Sequence, residues 1–231
     1  MKKNHPLFSI VILGPPGSGK GTQAKCLSRF FDLEHVDVGM ALRRLAQGDS
    51  PLAHQVDTLI HTDKALVPDE IVKNALHNLF EGVAEEKSIV LDGAPRKEEQ
   101  IHMVEEEMKK VERPLLCVIS LTVKEEALID RISHRYFCPR CMGFYIDGKD
   151  VEDATKDSCP RCHYPLEKRK DDTAEGVRKR LSIFHEETQP VIEAYRKEGQ
   201  LIEVDGEREI DVVCGDLHEA IVRIIENTYE D

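Results

Sequence analysis

The sequence lacks any apolar run that approaches the roughly 18 residues of a membrane-spanning helix. Residues 1–6 include two lysines but no apolar stretch and no small-residue cleavage site, so they do not resemble a secretory signal. Positive charge is also in deficit, because 32 Lys and Arg are scattered among 44 Asp and Glu for a net charge of -12. These absences disfavour a membrane protein and a dedicated nucleic-acid surface, and any anionic ligand must be bound at a local site. We expect a soluble, cytoplasmic protein.

Cysteine is too sparse and too unevenly spaced to indicate a disulfide framework. The chain has seven cysteines, an odd number, and four of them form two close pairs. Because disulfides are rare in a reducing compartment, we interpret the remaining three as small buried apolar side chains without chemistry. Each lies in an apolar periodic segment: Cys26, Cys117 and Cys214.

Short apolar runs alternate along the chain with longer segments of helical period. With 231 residues, of which 40% are hydrophobic, the chain can form one substantial core and carry a small inserted module. The alternation predicts an α/β fold, a doubly wound parallel sheet of five strands with helices on both faces. The predicted strands are 8–13, 33–38, 88–91, 115–121 and 201–204. The predicted helices are 21–31, 69–81, 97–111, 124–134, 172–197 and 211–227.

The predicted helix 172–197 has the clearest internal pattern. An Asp-x-x-Glu box, Asp172 to Glu175, predicts its N-terminus. Pro190 predicts a bend, because proline cannot complete the helical hydrogen-bond ladder. One stripe of the helix is expected to face the core: Val177, Leu181, Phe184 and Thr188.

Two segments interrupt the alternation and are predicted to be insertions over the sheet edge. Residues 39–67 look helical and polar, and residues 136–168 are rich in Gly, Pro and Cys. The sequence contains no internal repeat and no low-complexity tract, although the tetrapeptide Cys-Pro-Arg-Cys occurs twice.

A glycine-rich turn, GPPGSGKGT at 14–22, follows the first predicted strand and opens the first predicted helix. Glycines let backbone N–H groups approach a phosphate, the helix N-terminus is positive, and Lys20 can neutralise the β and γ charge. The slot that usually holds Ser or Thr is Gly21, with Thr22 one place later. A plain glycine turn is the alternative, but the flanking strand and helix favour a nucleotide site. Its expected ligands are Gly17, Ser18, Gly19, Lys20, Gly21 and Thr22.

The two cysteine pairs form one pattern, C-x2-C-x17-C-x2-C. This spacing is typical of a tetrahedral zinc site with four thiolate ligands, and the alternative is four unrelated cysteines. Since no position is left open for water, the metal is expected to be structural. It would hold together residues 136–168, which have too few apolar side chains to fold alone. The expected ligands are Cys138, Cys141, Cys159 and Cys162.

The string GPPGSGKGTQA closely resembles the phosphate loop of adenylate kinases and their nucleoside monophosphate kinase relatives. Further family motifs follow in order, and the resemblance covers residues 8–226. They are GMALR at 39–43, LVPDE at 66–70, LDGAPR at 91–96 with Gln100, DRISHR at 130–135, RKDD at 169–172 with RKR at 178–180, and VDG at 204–206. The resemblance implies reversible, Mg2+-dependent phosphoryl transfer from ATP to AMP, giving two ADP by direct in-line attack.

The resemblance also implies a role for each charged motif residue, in a reaction that depends on positioning and charge neutralisation. Lys20 and Mg2+ would hold the donor phosphates, and Asp92 would orient Mg2+ through water. Arginines would neutralise the transferring group and grip the acceptor phosphate. The implied catalytic set is Lys20, Asp92, Arg96, Arg131, Arg169 and Arg180.

Nucleotide-binding residues beyond the phosphate loop follow from the same resemblance. Arg131 and Arg135 lie four apart and would share one helical face on the donor side. The lid residues Phe144 and Tyr145 would meet the donor nucleotide, and Gln100 would hydrogen-bond the acceptor base. The donor set is Arg131, Arg135, Phe144, Tyr145, Gly206 and Arg208. The acceptor set is Val38, Arg43, Ala65, Leu66, Val67, Gly93, Arg96, Gln100, Arg169 and Arg180.

The resemblance gives the two insertions separate roles. Residues 38–67 would form a helical insertion that binds the monophosphate, and residues 136–168 a zinc-binding lid that closes over ATP. Residues 1–37, 68–135 and 169–231 would form the core phosphate-loop domain. The expected partners are ATP, AMP and ADP, without nucleic acid or membrane, and the chain is expected to act as a monomer.

Four positions depart from the family pattern on the acceptor side. Val38 stands where a Thr that touches the AMP base is usual, and Met40 where an Asp is common. Ala65 replaces a usually basic residue, and Ala94 replaces the aromatic residue of the DGFPR motif. A kinase for another monophosphate, GMP, UMP or CMP, is therefore an alternative. A zinc-ribbon NTPase or nucleotide-dependent binding module is a further one.

Overall fold

The computed structural model describes residues 6–63, 65–141, 143–148, 150–153, 158–169 and 172–229. Two residues of the predicted motifs, Lys170 and Asp171, lie outside this description. The strands are β1 (Ser9–Leu13), β2 (Glu34–Asp37), β3 (Ile89–Asp92), β4 (Leu115–Thr122), β5 (Arg135–Phe137), β6 (Phe144–Ile146) and β7 (Leu201–Asp205). The helices are α1 (Lys20–Phe31), α2 (Val38–Leu45), α3 (Pro51–Asp57), α4 (Asp69–Glu81), α5 (Glu99–Lys110), α6 (Glu125–Ser133), α7 (Ala174–Ile183), α8 (Gln189–Lys197) and α9 (Ile210–Tyr229). Two π-helical turns, Thr58–Asp63 and Phe184–Thr188, follow α3 and α7.

Five of the strands form one parallel sheet, as the sequence pattern predicted. The strand order is β2-β3-β1-β4-β7, and each neighbouring pair is parallel. The connection after β1 runs to β2 on one side of the sheet, whereas the connection after β3 crosses to β4 on the other side, and this reversal opens a crevice at the carboxyl ends of β1 and its neighbours. The glycine-rich loop follows β1 and therefore lies at this crevice. The strands β5 and β6 form a separate antiparallel hairpin.

The sheet is buried on both faces because its strands alternate between two hydrophobic cores. In β1, Val11 and Leu13 belong to one core, while Ile10 and Ile12 belong to the other. The first core includes side chains of α4, α5 and α8, and the second includes side chains of α1 and α9. Each fully buried aliphatic side chain contributes roughly 1.5–3 kcal/mol, so both faces of such strands need helical cover. The doubly wound arrangement is confirmed.

The predicted element bounds agree closely with the structure. The predicted helix 69–81 coincides with α4, whereas the predicted helix 97–111 begins two residues later as α5. The polar insertion is helical, as predicted, and consists of α2, α3 and the π-helical turn after α3. None of the described helices is long and apolar enough to cross a membrane.

Residues 172–197 form α7, a π-helical turn and α8, and their first cap differs from the prediction. The cap is Thr173, whose side chain accepts a hydrogen bond from the Gly176 N–H at 3.1 Å, so the prediction of a cap at Asp172 is wrong. A π-helical turn stands directly before α8, at whose start Pro190 cannot donate to the ladder, and the bend expected there stays a prediction. The predicted stripe is buried: Val177, Leu181, Phe184 and Thr188.

The interpretation of Cys26 and Cys214 as separate buried side chains is wrong. They are joined as a disulfide between α1 and α9, with their Cα atoms 6.3 Å apart. The two helices pack on the same face of the sheet, which brings together residues 188 positions apart. Cys117 is free and buried, as predicted, and burial raises the pKa of its thiol to about 12.

A buried arginine that the sequence analysis did not single out ties two loops to the sheet. Arg113 is 6% exposed. Its guanidinium donates to the carbonyl oxygens of Lys87 at 2.7 Å, Ala84 at 2.9 Å and Glu85 at 3.1 Å. Its own carbonyl accepts from the Ser9 hydroxyl at 2.8 Å. The loop before β3 is thus held against the start of β1 and β4.

We expect the substitution Arg113→Met to lower the free energy of unfolding by about 3 kcal/mol, because four backbone carbonyl oxygens would lose the hydrogen bonds of the buried guanidinium group. Urea unfolding measures this difference. The matched control is Arg223→Met, since Arg223 is exposed on α9 and pairs with Glu219 at the surface. That variant should change stability by less than about 0.5 kcal/mol. Equal losses in the two variants would contradict the role of Arg113.

Candidate functional site

A cleft of about 590 Å³ opens at the carboxyl ends of the central strands. Its lining includes the glycine-rich loop, the first residues of α1 and α2, the loop after β3, and parts of α6, β6 and α7. Every residue of the predicted catalytic, donor and acceptor sets lines this cleft except Tyr145. Motifs that are far apart in the sequence therefore converge on one space.

The loop between β1 and α1 depends on glycines with left-handed backbone conformations. Gly14 has a φ of +144° and Gly17 a φ of +84°. A Cβ atom on Gly14 would lie 2.9 Å from the Leu121 carbonyl oxygen, and one on Gly17 would lie 2.8 Å from the Ile132 side chain. Both positions therefore require glycine, because of their backbone conformation and because a Cβ atom would have no space. A loop that binds phosphate through its backbone N–H groups needs glycine for the same reasons.

Lys20 begins α1 and reaches back across this loop. Its Nζ donates to the carbonyl oxygens of Gly14 and Pro15 at 2.7 and 2.9 Å. Burial lowers the pKa of Lys20 to about 8, while Asp92 opposes this shift and Arg96 adds to it. A bound phosphate would supply negative charge and favour the ammonium form again. Lys20 is thus a cation whose full charge depends on an anionic ligand.

Three side chains that could bind a metal ion meet near Lys20. Asp37 and Asp92 are register partners at the carboxyl ends of β2 and β3, and His35 Nε2 lies 3.8 Å from Asp92 Oδ2. One ligand atom from each lies within 4.8 Å of the others. Burial raises the pKa of Asp92, but His35, Lys20 and Arg96 outweigh burial and hold that pKa below its ordinary value. The group has the donor atoms for a divalent cation.

The sequence analysis missed His35 and Asp37, although a signal was present. They occupy alternate positions on β2, and alternate side chains of a strand project from the same face of the sheet. Asp37 also caps α2, because its Oδ1 accepts from the Met40 N–H at 2.8 Å. Met40 stands where an Asp is common in the family, and Asp37, three residues earlier, supplies a carboxylate in this part of the cleft.

Asp172 holds two of the predicted arginines in place. Its carboxylate accepts from Arg135 Nε and Nη2 at 3.0 and 2.7 Å, and from Arg180 Nη2 at 2.8 Å. The Asp172 side chain is only 1% exposed, so removing it would leave two partly buried guanidinium groups poorly compensated. Asp172 belongs to a predicted motif but was not among the predicted site residues.

Arg131 and Arg135 do not share a helical face, contrary to the prediction. α6 ends before Arg135, which begins β5, because the chain leaves the helix to form the hairpin. Arg131 Nη2 donates to the Gly206 carbonyl oxygen at 3.0 Å. The guanidinium carbons of Arg135 and Arg169 lie 4.9 and 5.8 Å from the centre of the Phe144 ring. Both arginines still reach the cleft, from different elements.

The acceptor side combines a charged end with an apolar pocket. Arg96 Nε donates to the Gly93 carbonyl oxygen at 3.0 Å, and Arg43 lines the same cleft. Ala94 is fully buried in the core and does not line the cleft. Apolar residues form the neighbouring walls: Val38, Ala65, Leu66, Val67 and Val72.

The four predicted metal ligands come together between β5 and α7. Cys138 Sγ lies 3.4 Å from Cys162 Sγ, Cys141 Sγ lies 3.5 Å from Cys159 Sγ, and all four sulfurs are within 4.8 Å of one another. A tetrahedral zinc ion with bonds of about 2.3 Å separates its thiolates by about 3.8 Å. The residues therefore fit such an ion with small adjustments of the sulfur positions.

Tyr145 lies at this cysteine cluster rather than at the cleft. Its hydroxyl is 3.2 Å from Cys159 Sγ and 4.0 Å from Cys141 Sγ. A Cβ atom at Gly143 would lie 2.8 Å from the same hydroxyl, so glycine makes room for the tyrosine ring. A hydroxyl in this place can support a thiolate ligand from outside the ligand shell.

Comparison with known proteins gives a consistent result over the length of the chain. The family model described as adenylate kinase matches residues 12–200. An adenylate kinase of Caldanaerobacter subterraneus subsp. tengcongensis is 36% identical over 214 residues, which cover 92% of this chain and 96% of that protein. An adenylate kinase of Methanosarcina acetivorans is 36% identical over 212 residues, covering 91% and 96%. One of Archaeoglobus fulgidus is 34% identical over 220 residues, covering 94% and 99%.

We expect ATP to bind this cleft with uptake of protons at alkaline pH. At pH 9 Lys20, with a pKa of about 8 in the empty cleft, is mostly neutral, and bound phosphates raise that pKa, so binding takes up nearly one proton. At pH 6.5 Lys20 is charged in both the free and the ATP-bound protein, so it contributes no proton uptake on binding. Calorimetric titration in buffers of different ionisation enthalpy measures the number of protons.

The matched control is Lys20→Arg, which keeps the charge but does not titrate in this range. Equal proton uptake at pH 9 by the wild type and this variant would contradict the assignment to Lys20.

Proposed function

Because the chain belongs to the adenylate kinase family, we propose that it transfers a phosphoryl group reversibly from ATP to AMP, giving two ADP. The observation that carries this proposal is the single cleft that the phosphate loop and the acceptor arginines line together. An oxygen of the acceptor phosphate attacks the γ-phosphorus in line, the bond from that phosphorus to the β–γ bridging oxygen breaks, and ADP leaves. No covalent enzyme intermediate is required.

The donor half of the cleft binds the triphosphate. The glycine-rich loop offers its backbone, and Lys20 exchanges its two carbonyl partners for the β and γ oxygens. Arg131 lines the same half of the cleft and donates a hydrogen bond to the carbonyl oxygen of Gly206, the residue after β7. Of the remaining donor residues, Arg208 is paired with Asp216 at 2.6 Å, which holds it near the start of α9.

The transferring group lies among arginines that the protein has positioned in advance. Asp172 fixes Arg180 and Arg135, and the guanidinium groups of Arg135 and Arg169 both lie over the Phe144 ring. Such pre-arranged cations stabilise charge on the equatorial oxygens without reorganising during the step. Arg131, Arg169 and Arg180 therefore serve as the clamp of the transfer step.

The acceptor half binds the monophosphate through charge and the base through apolar contact. Arg43 and Arg96 hold the phosphate, and burial lowers the pKa of Arg96, so an anion is a favourable partner. The base lies between the apolar walls, where Gln100 is the polar side chain at its edge.

Magnesium bound with the nucleotide would neutralise charge on the β and γ phosphates. Asp92 would hold it, together with His35 and Asp37, whose donor atoms lie within reach of one another. Burial raises the pKa of Asp92, but His35, Lys20 and Arg96 together lower it and so keep the carboxylate ionised.

We propose the division into domains that the family resemblance implied. Residues 38–67 form the insertion that binds the monophosphate, residues 136–168 the lid, and residues 1–37, 68–135 and 169–231 the core. In the lid, a structural zinc ion bound by the four cysteines takes the place of a hydrophobic core. A closed lid excludes water and so suppresses hydrolysis of ATP. We further propose that the chain acts as a cytoplasmic monomer and that it has no nucleic-acid partner. The net charge of -12 supports the second of these proposals, because nucleic acid is itself negatively charged.

With ATP fixed, AMP should be phosphorylated faster than GMP, UMP and CMP at equal concentration. The reason is that Gln100 can satisfy both polar groups of an adenine edge. A coupled assay of ADP formation with the four acceptors measures this. A tenfold faster rate with another acceptor would favour the second candidate, a kinase for that monophosphate. The reason to test this candidate is Val38, an apolar residue that lines the cleft where a Thr that touches the AMP base is usual.

The purified protein should contain about one zinc ion per chain, and a strong chelator should expose residues 136–168 to protease. The parallel sheet should persist in the metal-free protein, because its core lies elsewhere. The control variant Cys117→Ala, which changes a free buried cysteine outside the cluster, should keep its zinc. A metal-free protein that is cleaved no faster in this segment would contradict the structural role.

A further inference from the structure

Both polar ends of the Gln100 amide are engaged inside the protein. Its Nε2 donates to Asp69 Oδ1 at 2.7 Å, and its Oε1 accepts from the Arg96 N–H at 2.7 Å. We propose that Asp69 is a positioning residue that fixes the orientation of this amide, and so lets the acceptor site distinguish 6-amino from 6-oxo purines. The inference rests on the proposed function, because it concerns the base of the acceptor monophosphate.

The order of oxygen and nitrogen in the amide is forced by the chemistry of its partners. The ionised carboxylate of Asp69 can only accept hydrogen bonds, and the backbone N–H of Arg96 can only donate one. A reversed amide would place two acceptors together at Asp69 and two donors together at Arg96. Each of these partly buried pairs would lose a hydrogen bond, and the buried amide of Gln100 would be left unsatisfied at both ends.

The partners of Gln100 are themselves held firmly. Gln100 is 2% exposed. The Arg96 carbonyl oxygen accepts from the Thr188 hydroxyl at 3.0 Å, so the backbone of Arg96 is bound on both sides. Asp69 begins α4, which is anchored in the core by Leu76 and by further apolar residues. A reversed amide therefore cannot be accommodated by a small shift of either partner.

What remains for the ligand is one N–H of Gln100 Nε2 and one lone pair of Oε1, in a fixed order. Gln100 lines the cleft together with the apolar residues Val38, Leu66 and Val67. Val38 has no hydroxyl with which to read a base. Side-chain recognition of the base edge consequently depends on the amide and on the residue that orients it.

Adenine and hypoxanthine present opposite patterns at this edge. Adenine has an acceptor at N1 and a donor at its 6-amino group, whereas hypoxanthine has a donor at N1 and an acceptor at O6. A freely rotating glutamine amide could satisfy either pattern by turning over. A fixed amide satisfies one of them, and sites built in this way reject the analogue whose polar groups stay unpaired. IMP is the best probe because it differs from AMP only at this edge.

The test compares AMP and IMP as acceptors for the wild type and Asp69→Asn. Asparagine has the same shape but can present either an oxygen or an N–H to Gln100, so it removes one side of the restraint. The ratio of kcat/KM for AMP to that for IMP should fall roughly tenfold, the value of one buried hydrogen bond. The change should appear as a higher KM for AMP, while the KM for ATP stays unchanged.

The matched control is Glu70→Gln. Glu70 is the next residue of the same helical turn and is exposed. Its substitution by Gln removes one negative charge, as the substitution Asp69→Asn does. This variant should keep the wild-type ratio, which separates the effect of Asp69 from that of charge at the N-terminus of α4. Thermal unfolding of both variants shows whether either has lost its fold.

A measurement on the wild type alone covers the case in which Asp69→Asn does not fold. Purine riboside monophosphate keeps the N1 acceptor and has no group at position 6, so it loses one bond without creating a clash. It should bind more tightly than IMP in equilibrium titrations. Tighter binding of IMP would overturn the fixed orientation.

The outcomes separate this inference from the proposed function. A wild type that prefers AMP, with an unchanged ratio in folded Asp69→Asn, would contradict the role of Asp69 alone. An equal loss of kcat/KM with both acceptors, accompanied by a changed KM for ATP, would reduce Asp69 to a structural residue. A wild type that phosphorylates IMP or another monophosphate better than AMP would contradict both.

Discussion

Positive charge concentrated in one cleft is the constraint on which the rest of the structure depends. The chain carries a net charge of -12, yet Lys20 lines the same space as seven arginines: Arg43, Arg96, Arg131, Arg135, Arg169, Arg180 and Arg208. Burial lowers the pKa of Lys20 and of Arg96, so the empty cleft is unfavourable for its own cations. Asp92 and Asp172 offset part of this repulsion. The phosphates of the ligands complete the neutralisation.

The fold could be predicted from local patterns because each element carries its own signal. The apolar runs identified the five parallel strands, and α4 was located to the residue by its first turn and its period. What failed depended on tertiary contacts. Cys26 and Cys214 are brought together by helix packing, and no spacing rule connects residues on different helices. The cap at Thr173 replaced Asp172 because that carboxylate is used by Arg135 and Arg180.

The site was predictable where a motif fixes the chemistry, and less so where side chains cooperate across elements. The glycine-rich loop and the four cysteines are contiguous patterns, and the structure places both as expected. His35 and Asp37 were missed because their meaning appears only when β2 lies beside β3. Asp69 was missed for the same reason, since its partner Gln100 is 31 positions away on another helix. Residues that orient other residues leave little trace in a single sequence.

Direct transfer requires that one cleft hold the donor and acceptor phosphates together. The most direct measurement is a calorimetric titration with a bisubstrate analogue, in which two adenosines are joined by five phosphates. We expect one molecule to bind per chain, more tightly than ATP or AMP, and either nucleotide to displace it. Binding of two molecules per chain, or displacement by ATP but not by AMP, would contradict it.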